Sequence, residues 1–417
     1  MARYHAEDFT MDSGVERTRE LPVQQITVKT DTRDILAKET KYQRDNRFAD
    51  WTIVDVDAHH SEMSSWREVM EYLDDPILKH YADEFQSRTG GAPGLSNNTP
   101  GLRYQDAGGR IPHQQQMAED VDDHSVHRDV TLVRRSMDAL GLDFQVLFPG
   151  NLLQLGTHPQ PRVEAHLALA YNRWVCERIL PQDDRIKTLL YLPITEPEMS
   201  LKIIEEFAEN PNVLGFMITS IRFKPVHHNS YIPIYNQLNE RKMPLAFHAG
   251  LTWSDDWMKQ LDLFISMHSI SFVLCNMVHL TNWIIHGMQE RFPDMPVMWI
   301  ESGVAWLAFM MQRLDSEYMM RPSEAPLLKK LPSDYMREMY YTSQPIETSN
   351  MGLTEQTFKA IKADTQILYA SDWPHWDFNP PSTIYDLPFL DEQGKKNILG
   401  ENACRLFNLD LKKKKSA

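Results

Sequence analysis

The sequence predicts an α/β protein built as a closed (β/α)8 TIM barrel, and three observations carry that expectation. Eight short apolar runs follow one another from residue 51 onward, and each is succeeded by helical sequence. Doubly wound sheets share this alternation, but eight such units point to a barrel. Four of the eight runs end in His, Asp or Glu, at the C-terminal strand ends where a barrel gathers its reacting groups.

The runs are TIVDVD (52–57), FQVLFPG (144–150), IKTLLYLP (186–193), VLGFMI (213–218), PLAFHAG (244–250), PVMWIESG (296–303), EMYYTSQ (338–344) and TQILYASD (365–372). Stretches such as VEAHLALAYNRWVCERIL and SLKIIEEFAEN lie between them and read as helices. Two longer excursions cover 84–130 and 251–295. The first, containing TGGAPGLSNNTPG, reads as a lid insertion after the first strand or, equally, as a packing insertion without chemistry. Residues 1–48 are polar, with charges of both signs, and are expected to form a weakly structured N-terminal arm. The barrel is placed at 49–410, followed by a basic tail at 411–417.

Of the 417 residues, 58 are acidic and 43 basic, a net charge of −15 that argues against nucleic acid or an anionic membrane as partner. Neither a GxGxxG nor a GxxxxGK phosphate loop is present, which weakens nucleotide-dependent chemistry. Cys176, Cys275 and Cys404 lack CxxC spacing and read as thiols of a reducing compartment. The start has no apolar run resembling a signal sequence, and SFVLCNMVHLTNWII is too short and too interrupted to span a membrane. A cytoplasmic protein is expected.

The strand ends carry the chemistry. The first closes on Asp57-Ala58-His59-His60-Ser61-Glu62, the fifth on His248, the sixth on Glu301 and the eighth on Ser371-Asp372-Trp373-Pro374-His375-Trp376-Asp377. Asp57 and His59 are two apart on a strand and so point the same way. With His248 and Asp372 they form a mixed imidazole and carboxylate set, suited to Zn, Mn or Fe rather than to a soft metal. Two imidazoles and a carboxylate with open positions can also hold non-haem iron that activates dioxygen. Any one of these residues has a bland explanation, as an N-cap, an ion-pair partner or a core histidine. Their coincidence at four strand ends favours a metal.

Glu301, Glu62, His60, His268 and His375 form an outer candidate set, either as ligands of a second metal or as general acids and bases on a metal-bound water. Glu301, His375 and His268 are the catalytic candidates. His279 is expected in the core, and the pair His227-His228 is given no role. Trp253, Trp257, Trp306 and Trp376 either line an apolar pocket or simply pack. Arg110 and Arg313 are candidate clamps for a substrate carboxylate, although Arg313 has Asp315 and Glu317 nearby as partners.

The blocks DVDAHHSE, LAFHAG, ERFPDMPVMWIESGVAWLAFMMQRLD, YASDWPHWD and NACRLFNL resemble the amidohydrolase-related (amidohydrolase-2) family that includes the aminocarboxymuconate and aromatic-acid decarboxylases. The resemblance runs from about 51 to 410 and implies a metal-dependent barrel. It matches Asp57 and His59 to the first-strand metal pair, His248 to the fifth-strand histidine and Asp372 to the eighth-strand aspartate. Glu301 falls where several decarboxylases of the family place a catalytic histidine. Those enzymes also open with Glu-x-His or His-x-His, where this chain has Asp57-x-His59 followed by His60 and Glu62. Read as a surplus of hard ligands, these departures favour the family's dinuclear non-haem Fe or Mn/Fe monooxygenase branch. The expected activity is then dioxygen-dependent hydroxylation of an unactivated C–H bond in a small amino or carboxylic acid, in a homo- or hetero-oligomer with a related barrel subunit. The alternative is a mononuclear Zn or Mn hydrolase or non-oxidative decarboxylase. A further alternative is a non-catalytic partner subunit that keeps the fold.

Overall fold

The computed structural model describes residues 32–89, 121–219, 224–250, 256, 258–375 and 377–409. Eight parallel strands pair in sequence order: β1 (Val54–His60), β2 (Phe144–Pro149), β3 (Ile186–Tyr191), β4 (Val213–Ile218), β5 (Leu245–His248), β6 (Val297–Ile300), β7 (Tyr340–Thr342) and β8 (Ile367–Leu368). The circle is completed by main-chain bonds between the last and first strands. Val56 N–H donates to the Tyr369 carbonyl (3.0 Å), Asp372 N–H to that of Asp57 (2.8 Å) and His59 N–H to that of Trp373 (2.7 Å). All eight expected strands are therefore present, in a (β/α)8 barrel.

The strands form where they do because parallel strands in a barrel are covered on both faces and read as nearly continuous apolar runs. Every residue of β2, β3, β5 and β6 is buried. The last two strands are shorter than their sequence runs, which extend to Gln344 and Asp372. Helices cover the outside and stop at clear signals. The helix Arg128–Leu140 ends on Gly141, whose φ of 67° suits a residue without Cβ. Behind β5 and β6, Phe247 stacks on Trp299 with ring centroids 4.4 Å apart, and Trp283 from the helix Phe264–Ile285 packs edge-on against Phe247.

Residues 32–50 depart from the expectation of a weakly structured arm. The helix Thr32–Asp45 docks on the barrel, where the Glu39 carboxylate accepts bonds from the Ser382 N–H (3.0 Å) and hydroxyl (2.7 Å). Phe48 is buried in a cluster with Tyr42, Trp51 and Tyr385. Aromatic burial and a satisfied carboxylate outweigh the polarity that suggested disorder. Residues 1–31, most of the expected lid (90–120) and the basic tail lie outside the described residues. Of the second excursion, residues 258–295 form the ordinary helical cover after β5. Among the described residues, no helix is long and apolar enough to cross a membrane.

If this docking contributes to global stability, Phe48→Ala should cost about 3–5 kcal/mol, the usual penalty for emptying a buried aromatic site. Denaturant unfolding of the variant and parent checks it, and a difference below about 1 kcal/mol would mean the segment is peripheral.

Candidate metal centre

Asp57 and His59 leave β1 on the same face, into the barrel mouth, and His248 joins them from the last position of β5. Asp372 arrives from the turn after β8, with φ at 61°. Left-handed backbone costs a non-glycine residue about 1–2 kcal/mol and persists where neighbours hold it. Its neighbours do so here, because Ser371 and Trp373 are both hydrogen-bonded on either side.

These four side chains are almost entirely buried. His59 Nε2 lies 3.1 Å from Asp372 Oδ1 and 3.4 Å from Asp57 Oδ1, and His248 Nε2 lies 3.3 Å from the same Asp57 oxygen. The ligand atoms of Asp57, His59 and His248 all fall within 4.8 Å of one another, as do those of His59, Asp372 and His375. The other ring nitrogens fix the tautomers. His59 Nδ1 donates to the Pro149 carbonyl (3.1 Å) and His248 Nδ1 to that of Ala249 (2.8 Å). Each Nε2 therefore turns a lone pair toward anionic oxygen, an arrangement that repels unless a cation sits among the donors. Burial, chiefly, lowers the His59 pKa, aided by His375 and opposed by the neighbouring carboxylates, which keeps its ring in the neutral, ligating form. His59 Nε2 and Asp57 Oδ2 are buried without a hydrogen-bond partner. Buried polar atoms are rarely left so, and this donor set fits a hard or borderline divalent metal.

Further groups border the four. His375 Nδ1 lies 2.6 Å from Asp372 Oδ1. Burial disfavours its charged form, but Asp372, Asp377 and Asp57 outweigh that and raise its pKa to about 9. Burial would raise the Asp372 pKa, yet His375 and His59 together hold it below the usual carboxylate range. Glu301 follows β6 at φ 59°, its N–H bonded to Thr342 Oγ1 (3.0 Å) and its Oε2 3.4 Å from His248 Nδ1. Burial, then the charges of Asp372, Asp57 and Asp377, push its pKa far up. Asp377 is raised to about 7, by burial and by Asp372. His268 does not reach the ligand cluster; its Nε2 lies 3.7 Å from Asp377 Oδ2 at the mouth.

His60 and Glu62 are not brought to the cluster, contrary to their assignment to a second metal. Consecutive strand residues point to opposite faces, so His60 turns outward where His59 turns in. Its Nδ1 lies 3.0 Å from Asp129 Oδ2 and its Nε2 2.8 Å from Tyr171 Oη, with its ring stacked on Trp174. The Glu62 carboxylate accepts from the Gly150 (2.9 Å) and Leu152 (2.7 Å) N–H groups. Trp306 is buried, donates to the Gly303 carbonyl and packs on Tyr341. Arg313 pairs with Glu317, and His279 lies buried against Phe247 as expected of a core residue. Arg110, Trp253, Trp257 and Trp376 lie outside the described residues.

Three residues at the site escaped the sequence reading. Asp55 lies fully buried two residues before Asp57, and an acidic residue inside an apolar strand run was the signal that could have revealed it. Gln344, whose Nε2 donates to Asp372 Oδ2 (3.1 Å), closes the seventh run and Asp377 follows the eighth, so both had a strand-end position although neither was given a role.

Comparison with known proteins follows the same lines. The family described as Amidohydrolase matches residues 120–409. Gamma-resorcylate decarboxylase of a Rhizobium species is 22% identical over 287 residues, covering 66% of this chain and 85% of that protein. The 5-carboxyvanillate decarboxylase of Sphingomonas paucimobilis shares the fold at a TM-score of 0.62 and 17% identity, over 86% of this chain and 100% of that one. A dihydroxybenzoic acid decarboxylase of a Polaromonas species, solved with bound manganese and 2-nitroresorcinol, aligns at a TM-score of 0.60 and 16% identity, over 88% and 99%. These relatives are decarboxylases, which overturns the expectation of a monooxygenase and of oxidoreductase chemistry. The physical reason for the difference is visible at and just after the end of β1: His60 and Glu62, counted toward a second metal, have other partners. With its barrel, its ligand geometry and the span of the match, this chain belongs to the amidohydrolase family.

Proposed function

We propose that the protein is a divalent-metal-dependent, non-oxidative decarboxylase of a hydroxylated aromatic acid. One observation carries the reading: two imidazole lone pairs and two carboxylates converge in a buried cluster that leaves His59 Nε2 and Asp57 Oδ2 unpaired. The curated relatives, named gamma-resorcylate decarboxylases, support the reaction class. Bound manganese in solved structures of the same fold supports the choice of ion.

Asp57, His59, His248 and Asp372 would hold one metal, Mn or Zn, a set of hard and borderline donors. When bound, it supplies a Lewis-acidic positive charge that orients an anionic substrate. The chain's own groups then manage the proton. Decarboxylation requires a proton on the ring carbon that carries the carboxylate. The C–C bond to the carboxylate then breaks, its electron pair returns to the ring, and carbon dioxide leaves. Glu301 and His375 both border the ligands, which supports them as the groups that would deliver that proton. Burial of the cluster excludes water from the charged groups that orient the substrate.

Chelation should abolish turnover of 2,6-dihydroxybenzoate or 5-carboxyvanillate, and added Mn2+ should restore it. His59→Ala and His248→Ala should stay inactive at any Mn2+ concentration, measured by carbon dioxide release. The rate should be the same under argon and under air, and oxygen consumption in step with product would overturn the proposal. Glu301→Gln and His375→Asn separate the two candidate donors. Loss of the true donor should lower kcat by about 10²–10⁴-fold, the ordinary range for general acid catalysis, with little change in metal content.

A further inference from the structure

We infer that Asp55 and Ser371 form a clasp across the β8–β1 seam that positions the metal ligands on either side of it, an inference that rests on the metal-centre reading above. Asp55 is fully buried two residues before Asp57, at a point where the β1–β2 register shifts between Asp55 and Ala58, and its carboxylate turns back to the Asp57 N–H. Its two oxygens are fully used by donors. Oδ1 accepts from Ser371 N–H (2.8 Å) and Asp57 N–H (3.2 Å), and Oδ2 accepts from Ser371 Oγ (2.6 Å) and Gln145 Nε2 (2.9 Å). Gln145 is held in turn by Ser136, whose hydroxyl donates to its Oε1 (3.2 Å). One carboxylate therefore ties β2, β1 and the turn after β8 together.

The consequence falls on Asp372. Ser371 Oγ, while donating to Asp55, accepts the Trp373 N–H (3.0 Å). Asp372, at φ 61°, is thus pinned at the residue before it and the residue after it, both through Asp55. The same carboxylate holds the backbone N–H of Asp57, the ligand on the other side of the seam. The need for help here is plain from the ladder. β8 is two residues long, and three main-chain bonds carry the closing seam from Val56 to Trp373. The distance between Asp57 with His59 and Asp372 is set at this seam, so Asp55 and Ser371 act as positioning residues rather than ligands. A carboxylate suits the position because all four groups it meets are donors, and an amide would turn its own N–H against at least one of them.

The test is Mn2+ titration by calorimetry on metal-free full-length protein, with thermal unfolding of the same samples. Ser371→Ala removes the hydroxyl that links Asp55 to Trp373, Asp55→Asn replaces one acceptor by a donor, and Ser371→Thr keeps the hydroxyl. Thr357→Val is the control, since it deletes a buried hydroxyl bond to the Leu353 carbonyl (3.0 Å) on an outer helix. Ser371→Ala and Asp55→Asn should weaken Mn2+ binding about 10–100-fold, the usual effect of losing a group that orients a ligand. Ser371→Thr should recover most of that loss. Thr357→Val should lower the unfolding temperature and leave Mn2+ affinity at the parent value. Parent-like affinity in Ser371→Ala and Asp55→Asn, or equal weakening in Thr357→Val, would overturn the clasp. Failure of the unaltered protein to bind Mn2+ would overturn the metal reading and the clasp with it.

Discussion

A barrel exists only if its last strand returns to its first, and in this protein that return is also what assembles the site. Asp57 and His59 stand on one side of the seam and Asp372 on the other, joined by the bonds from Asp372 N–H to Asp57 and from His59 N–H to Trp373. Closure and ligand spacing are therefore one event. The remaining ligand, His248, arrives from across the barrel on β5, whose place is secured by the stacking of Phe247 on Trp299 and the cover of Trp283.

The second organising constraint is electrostatic. Asp57, Asp372, Glu301 and Asp377 gather at the barrel mouth, where burial penalises the charged forms of Asp372, Glu301 and Asp377 and like charges repel. The chain answers in different ways at different positions. Asp372 gains His375 at 2.6 Å and stays ionised, whereas Glu301 has no charged partner that offsets its burial and its pKa is driven upward. Carboxylates just outside the cluster, the buried Glu62 and the half-buried Glu347, are satisfied by the main chain instead. Glu62 receives Gly150 and Leu152, and Glu347 receives the Val304 (3.0 Å) and Ala305 (3.2 Å) N–H groups behind Glu301. Acidic residues thus divide into those that face the donor cluster and those that shape the turns around it.

This division also accounts for the difference between the expected and the supported chemistry. Counted along the chain, the carboxylates and histidines exceed what one metal uses, and that count led to a dinuclear oxygenase. Counted in space, His60 is spent on Asp129 and Tyr171, Glu62 on the β2 turn, and His268 on Asp377. The proteins to which the chain is similar are decarboxylases, not oxygenases.

The amino-acid sequence by itself determined the barrel, because eight runs covered on both faces leave an unbroken apolar record, as in VLGFMI and VMWI. It also determined that Asp57 and His59 project together, since a strand repeats every two residues. That same period, applied one residue further, would have turned His60 away. The helix Thr32–Asp45 was not legible, because its docking depends on Ser382 and Tyr385, far along the chain. Tertiary structure alone decided the rest. Asp372 was legible as a strand-end acid, but a positive φ in a turn aims its carboxylate, and Gln344 and Asp377 likewise reach the site from turns, where no period relates position to direction. Which acids meet each other, and which meet a backbone amide, follows from the closing of the seam between residues more than three hundred positions apart, Asp55 and Ser371 among them.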